Sequence, residues 1–455
     1  MSIKLRLTVM SFFQFFVWGA WLITIGIYWF GTKQWDGTQF GAIFATMGIA
    51  SLFMPTVMGI IADRWVNAEK LYGLLHLLYA GTLFYIPQIN DPKEFFYVML
   101  LAMCFYMPTL ALSNAISYNA LTTGQYDLVK AFPPIRVWGT IGFIAAMWLV
   151  NLSGNKASAS QFYIAGIGAL GLSLFSFVLP KCPPKNIKPE KKSFAHTFGL
   201  EAFKLFGSYK MALFFIFSMF LGAALQLTNA YGDVFLDEFR FFPKYSGSAV
   251  IKHSTIFMSI SQISETLFIL AIPFFLKRFG IKNVMLISMF AWVLRFGLLA
   301  YSDPIGGLWM IVLSGIMYGM AFDFFNISGS LFVETSTNAE TRSSAQGLFM
   351  MMTNGFGAIF GSLISGWAID KYFTLNFTVI EDLANYLQTE VTNPILRTFL
   401  QERQVAVLEN GLLSKVVLLK DWHHIWLSFA IYTFILAMLF ALLFKHKHNQ
   451  NKLNV

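Results

Sequence analysis

The chain has 455 residues, of which 56% are hydrophobic, 17% aromatic and only 12% charged, with a formal net charge of +9. A water-soluble domain carries about a quarter charged residues, so this composition turns most of the surface toward lipid and excludes disordered, collagen-like and disulfide-scaffold classes. Two cysteines, Cys104 and Cys182, are too few and too far apart for a disulfide or metal framework, and the cationic excess reads as the surplus of cytoplasmic loops rather than a nucleic-acid surface.

The first apolar run, 8–30, has full spanning length and lacks a short apolar core with a small-residue cleavage site, so it predicts a retained helix rather than a signal peptide. Similar runs follow at 39–61, 71–89, 95–118, 134–152 and 160–180, then at 211–232, 254–276, 283–301, 306–332, 343–369 and 423–444. About 12 spans of roughly 21 residues would occupy about 250 residues. The expectation is an all-α polytopic membrane protein with twelve transmembrane helices. Lysine and arginine gather on alternate loops, at Lys4 and Arg6, Arg64 and Lys70, Lys130, Lys181 to Lys210, Lys277 to Lys282, Arg342 and Lys445 to Lys452. The short loops opposite hold only Lys33, Lys93, Lys156, Arg240, Lys244 and Lys252. That bias predicts both termini in the cytoplasm. The segment 181–208, with Pro183, Pro184 and Pro189 among its lysines, predicts a cytoplasmic linker between a six-helix half at 1–180 and another at 209–455. Between the last two runs lies an external insertion, 372–421. Its apolar positions Ile395, Leu396, Phe399, Leu400, Val405, Val407 and Leu408 predict one or two amphipathic helices lying over the external face, read first as a cap and second as a gating or partner-binding element.

The halves echo each other. The second run ends Gly59-Ile-Ile-Ala-Asp63-Arg64 and the eighth ends Lys277-Arg278-Phe-Gly280-Ile-Lys282, each a tight charged turn. The Gly-x-x-x-Asp-Arg turn resembles the loop signature of the major facilitator superfamily, and with the helix count and the basic central loop it implies that fold, built from repeated halves.

An ionisable side chain at the centre of a membrane helix costs about 2.5–3.5 kcal/mol or more, so those present are functional candidates. Glu265 lies mid-span in Ser259-Ile-Ser-Gln262-Ile-Ser-Glu265, with Gln262 one turn away on the same face. Asp323 follows Tyr318-Gly-Met-Ala-Phe322, in which Tyr318 and Phe322 form an aromatic wall at i, i+4; it is read either as functional or as half of a structural ion pair. Arg295 is read as a partner for either carboxylate, and the resemblance to the superfamily, in which the third helix of each triplet is peripheral, implies a structural role for it. Arg136 follows Phe132-Pro-Pro and shares one face with Thr140 and Phe143 at i, i+4, i+7. It either snorkels to the interface or, with hydroxyl and ring, faces a polar aromatic ligand. Gln226 and Asn229, at i, i+3, supply two amides that act as helix glue or line a cavity. His76 is read as packed or paired, and His423 and His424 as interfacial. No phosphate-cradling loop, nucleophile elbow or zinc spacing is present in the sequence, so no cofactor or metal and no enzymatic chemistry is expected.

The motifs Phe132-Pro-Pro-Ile-Arg136-Val-Trp-Gly-Thr140-Ile-Gly-Phe143, Leu225-Gln226-Leu-Thr-Asn229, Ser259 to Phe268 and Tyr318-Gly-Met-Ala-Phe322-Asp323-Phe-Phe-Asn-Ile-Ser-Gly resemble the nucleoside:proton symporter family. The resemblance runs to about residue 370 and resumes in the last span; the stretch 372–421 is longer than the family pattern. It implies that Arg136, Thr140, Phe143, Gln226, Asn229, Gln262, Glu265, Tyr318 and Phe322 line the nucleoside site. It also implies that Asp323 is adjacent to that site and important. The mechanism expected has a proton neutralise Glu265 or Asp323, and family and layout together give a bacterial inner membrane as the expected setting. The expected partners are a nucleoside, protons and the lipid bilayer. The oligomeric state is left open. A flat base and a hydroxyl-rich ribose ask for ring faces, amides and carboxylates, which these residues supply. The same fold carrying a sugar or another small polar solute, a passive nucleoside facilitator, and a membrane-embedded enzyme or receptor are the rival readings.

Overall fold

In hydrocarbon every backbone amide must find its partner within the chain, and the apolar runs meet this demand as helices. The computed structural model describes residues 1–184 and 200–446; the central part of the expected linker, together with Lys447 and Lys452, lies outside the described residues. Six helices come first: Ile3–Gly19 (α1), Gly37–Arg64 (α2), Ala68–Tyr85 (α3), Pro92–Thr123 (α4), Leu128–Leu152 (α5) and Ser160–Phe175 (α6). Tyr209–Glu238 (α7), Ser254–Tyr301 (α8), Leu308–Ser336 (α9), Ala339–Met350 (α10) and Ala358–Tyr372 (α11) follow. Among the described residues, nine helices are long and apolar enough to cross a membrane. One of them, α8, carries two of the expected runs as a hairpin folded at Gly280, where φ is +76° and ψ 167°, a backbone state open in practice only to glycine.

Sequence signals set most boundaries. Asp36 caps α2 by accepting from the Gln39 amide at 2.8 Å, and Asp91 caps α4 ahead of Pro92 in its first turn. The charged turn after Arg64 is short, with α3 resuming at Ala68. Two expectations need correction. The first span is not one helix: α1 stops at Gly19, the chain turns through Ala20–Thr24, and a π-helical segment, Tyr28–Lys33, completes it. The Thr24 hydroxyl, which bonds Gln161 at 2.8 Å and contacts the Ala20 carbonyl, occupies the break. And α5 starts at Leu128, before the paired prolines rather than at them.

Glycines let the helices approach. A Cβ at Gly19 would stand 2.5 Å from the Phe143 carbonyl oxygen, and one at Gly319 would stand 2.6 Å from the Glu265 amide nitrogen, distances that real Cβ atoms do not show, so α1 lies on α5 and α9 on α8 backbone to backbone. At the end of the bundle that carries the insertion, the first six helices are tied to the rest by polar contacts. Lys156 pairs with Asp237 at 2.7 Å and donates to the Ile251 carbonyl and the Ser254 hydroxyl. Asn151 meets His253 at 2.9 Å, and Trp148 donates to Ser259 at 2.9 Å. Asp370 accepts from the Gly37 amide at 3.0 Å and the Thr38 hydroxyl at 2.6 Å.

The insertion departs from expectation in part. Two helices are present, Ile380–Tyr386 (α12) and Pro394–Glu402 (α13), but they are framed by an antiparallel pair, Thr374–Val379 (β1) and Leu412–Lys420 (β2), with Phe377 opposite Val417. In β2, Leu413, Val417 and Leu419 turn inward, and the pairing with β1 makes this segment a strand. With Phe241, Leu396, Phe399 and Leu400 they form a separate small core. The last helix, Trp422–Leu443 (α14), starts from Asp421, whose side chain caps it.

Candidate functional site

The charges gather where α5, α8 and α9 converge. On α5, the Arg136 guanidinium lies over the Phe15 ring of α1, 4.1 Å from its centroid, and a side chain at Gly139 would fill the space that Phe15 takes. Facing it on α8 is Glu265, which interacts electrostatically with Arg136. Asp323 on α9 interacts with Glu265 in turn, and both carboxylates act on Tyr318. One cation and two carboxylates therefore share one neighbourhood at membrane depth, where an uncompensated charge is costly.

Aromatic rings border this cluster. Tyr318 and Phe322 stack nearly parallel, with centroids 5.9 Å apart and planes 11° apart. Trp292 meets Tyr318 edge-on at 5.9 Å, and Phe143 meets Trp18 edge-on at 6.3 Å. Buried acceptors without a partner lie on three helices: the amide oxygens of Gln226 on α7 and Gln262 on α8, and one carboxylate oxygen of Asp323. Leaving a buried acceptor unmet costs about 1–3 kcal/mol, so these atoms call for water or a ligand with donors. A small hollow of about 20 Å³, room for about one water, lies between α7, α9 and the π-helical segment Met351–Gly357, lined by Leu225, Phe322, Asn326 and Thr353 among others; a larger one, about 270 Å³, lies under the insertion.

Of the residues predicted from sequence, the structure brings together Arg136, Glu265, Asp323, Tyr318 and Phe322. Thr140 follows Arg136 by one turn of α5, and Asn229 and Gln262 lie one turn from Gln226 and Glu265 on α7 and α8. Phe322 alone of the nine lines the small hollow between α7 and α9. Phe15, Trp18 and Tyr106 were not singled out. Tyr106 lies 5.5 Å from Trp18 and interacts with Arg136, and all three are uncharged rings in a sequence with 50 phenylalanines, where only the i, i+3 spacing of Phe15 and Trp18 could have marked them. His76 is buried, with Nδ1 at 3.0 Å from the Tyr72 carbonyl.

Comparison with known proteins decides the family. The nucleoside H+ symporter family profile matches residues 1–449. The chain belongs to the nucleoside H+ symporter family. It is 46% identical over 449 residues to nucleoside permease NupG of Escherichia coli (strain K12), covering 98% of this chain and 97% of that protein. It is also 46% identical over 454 residues to xanthosine permease of the same organism, covering 100% and 98%. The crystal structure of nucleoside transporter NupG superposes with a TM-score of 0.83 at 46% identity, over 98% of this chain and 100% of that one. The fold is thus the major facilitator fold of a multi-pass membrane transporter, and the family is one of transporters rather than enzymes.

Proposed function

We propose that this family member takes up nucleosides with protons across the cytoplasmic membrane of a bacterium, both termini inside, by alternating access between two six-helix bundles, 1–180 and 209–455, with twelve crossings in all. The observation that carries the reading is the grouping of Arg136, Glu265 and Asp323 beside the Tyr318–Phe322 stack. Rings of this kind offer faces to a base. The unpartnered oxygens of Gln226 and Gln262, with Thr140 and Asn229, offer hydrogen bonds to base edges and ribose hydroxyls, and Phe143 closes the α5 side.

Two carboxylates next to one guanidinium give the cluster a formal charge of −1, and one proton brings it to zero, the state that reorients through a low-dielectric path at least cost. Glu265 holds the central position, since it faces both Arg136 and Asp323. At about 150 mV one proton supplies roughly 3.5 kcal/mol, which sustains on the order of 300-fold accumulation at about 1.36 kcal/mol per decade. Vesicles reconstituted with the protein and loaded at high internal pH should accumulate labelled uridine or adenosine and lose that accumulation with a protonophore. Glu265→Gln or Asp323→Asn should abolish gradient-driven uptake while leaving exchange. No accumulation of any nucleoside would overturn the assignment, and undiminished driven uptake by both variants would overturn the proton-carrier role.

A further inference from the structure

Arg295 is a second cation at membrane depth, and the transport reading does not use it. It stands on the returning arm of α8, 1% exposed. One guanidinium nitrogen donates to the Ser314 carbonyl at 2.7 Å and to the Ser261 hydroxyl at 3.2 Å, while Nε has no partner. Among the described residues no carboxylate lies within ion-pair distance of it. What it does face is a ring: the guanidinium carbon lies 4.7 Å from the centroid of Tyr318. The Ser314 hydroxyl returns a bond to the Arg295 carbonyl at 3.2 Å, so α8 and α9 are stitched together one turn from Tyr318. On its other sides Tyr318 meets Phe322 and Trp292, and Glu265 and Asp323 act on it from the site.

A cation buried without a carboxylate is expensive to desolvate, and two neutral hydrogen bonds offset only part of that cost. Simple packing therefore does not account for this residue, whereas a cation seated on a ring face both gains attraction and fixes the ring plane. Nη1 alone holds both oxygens, which leaves the flat guanidinium against the ring; an ammonium could bond the oxygens but has no plane to lay on an aromatic face.

We propose that Arg295 is a positioning residue for nucleoside recognition: from outside the chamber it clamps Tyr318 in the plane that stacks on Phe322, and so sets the platform for the base. This rests on the transport reading, and the test separates the two. Binding of uridine and adenosine to the purified protein is measured first, because failure of the unaltered protein to bind either nucleoside defeats the transport reading itself. Given binding, Arg295→Met should raise the KM for uptake about tenfold with a smaller change in maximal rate, and should change the uridine-to-adenosine ratio. In a Tyr318→Leu background the same substitution should add no further change in KM. Arg295→Lys, which keeps the charge and the donors to Ser261 and Ser314 but not the guanidinium plane, should raise KM several-fold with normal protein yield. A merely structural arginine would lower yield and maximal rate and leave KM and the base ratio alone. Wild-type KM in Arg295→Met, or an equal added loss in the Tyr318→Leu background, overturns the proposal; where Arg295→Met does not fold, wild-type KM in Arg295→Lys overturns it.

Discussion

Gly319 offers the sharpest perturbation of the platform. A Cβ at this position would stand 2.6 Å from the Glu265 amide nitrogen and 2.5 Å from the Ser264 carbonyl carbon. Unstrained heavy-atom contacts begin near 3.5 Å, so Gly319→Ala must move α9 away from α8 by about 1 Å, since a backbone neighbour cannot rotate aside. Overpacking of this kind costs about 1–3 kcal/mol, against a gain of about 0.8–1 kcal/mol for alanine over glycine in a helix, so the clash wins or breaks even. Function suffers more than stability, because the displaced residue is next to Tyr318 and the displacement is measured from Glu265; a misplacement of about 1 Å in a positioned site costs on the order of 100-fold. Gly297 supplies the control. It lies on the same α8–α9 hairpin region with nothing within 4 Å of its Cβ position, so Gly297→Ala should unfold at an equal or slightly higher temperature and transport normally. Thermal unfolding in detergent and nucleoside KM in vesicles read both. A Gly319→Ala protein with unchanged melting temperature and KM would show that the backbone contact does not hold the site.

Three further outcomes follow from the insertion end. Lys156→Ala leaves Asp237, 4% exposed, with Arg240 at 3.4 Å as its remaining partner. Removal of one member of a buried pair costs up to about 3–5 kcal/mol, and here the loss falls on a contact between the first six helices and the rest of the chain. Labelling of an Asn229→Cys reporter, with Cys104 and Cys182 replaced by serine, should quicken from the insertion side; unchanged labelling would refute a tie at this end. Leu396 is fully buried in the small core under β2, and Leu396→Ala should destabilise the insertion by about 2–5 kcal/mol, seen as early protease cleavage within 372–421 with the helical signal intact. The Tyr386 phenol is pushed up to about 12 by burial and by the nearby Asp421 and Glu238. Because its folded value lies above that of a free phenol, its contribution to stability is complete below about pH 10 and is lost as pH rises toward 12. The Tyr386→Phe protein should lose that alkaline step in unfolding measured between those limits.

The bundle was legible because lipid imposes one rule on every residue of a span: runs of apolar side chains become helices, and charged turns end them, as at Arg64 and Gly280. Charged candidates were legible for the converse reason, since Glu265, Asp323 and Arg136 are too costly in hydrocarbon to be incidental. The strands at 374–379 and 412–420 were not, because a short amphipathic stretch such as Leu412 to Lys420 satisfies a helical and a strand period almost equally, and only its partner across the sheet decides. The break after Gly19 escaped for a similar reason: it depends on Gln161, 137 residues away, which accepts from the Thr24 hydroxyl. Rings such as Trp18 and Phe15 carry no charge to betray them, and Phe15 reaches Arg136 through the space left at Gly139.

The left-handed glycine at 280 has a consequence for how two buried charges are held. Glu265 and Arg295 stand on the two limbs of one covalent clip, joined at a corner that no other residue type can turn without strain. Whatever swing carries solute from one side to the other, the anion and the cation sit on neighbouring limbs of one turn and act on the same Tyr318 ring, so any change of angle at that corner shifts both charges against the ring they share.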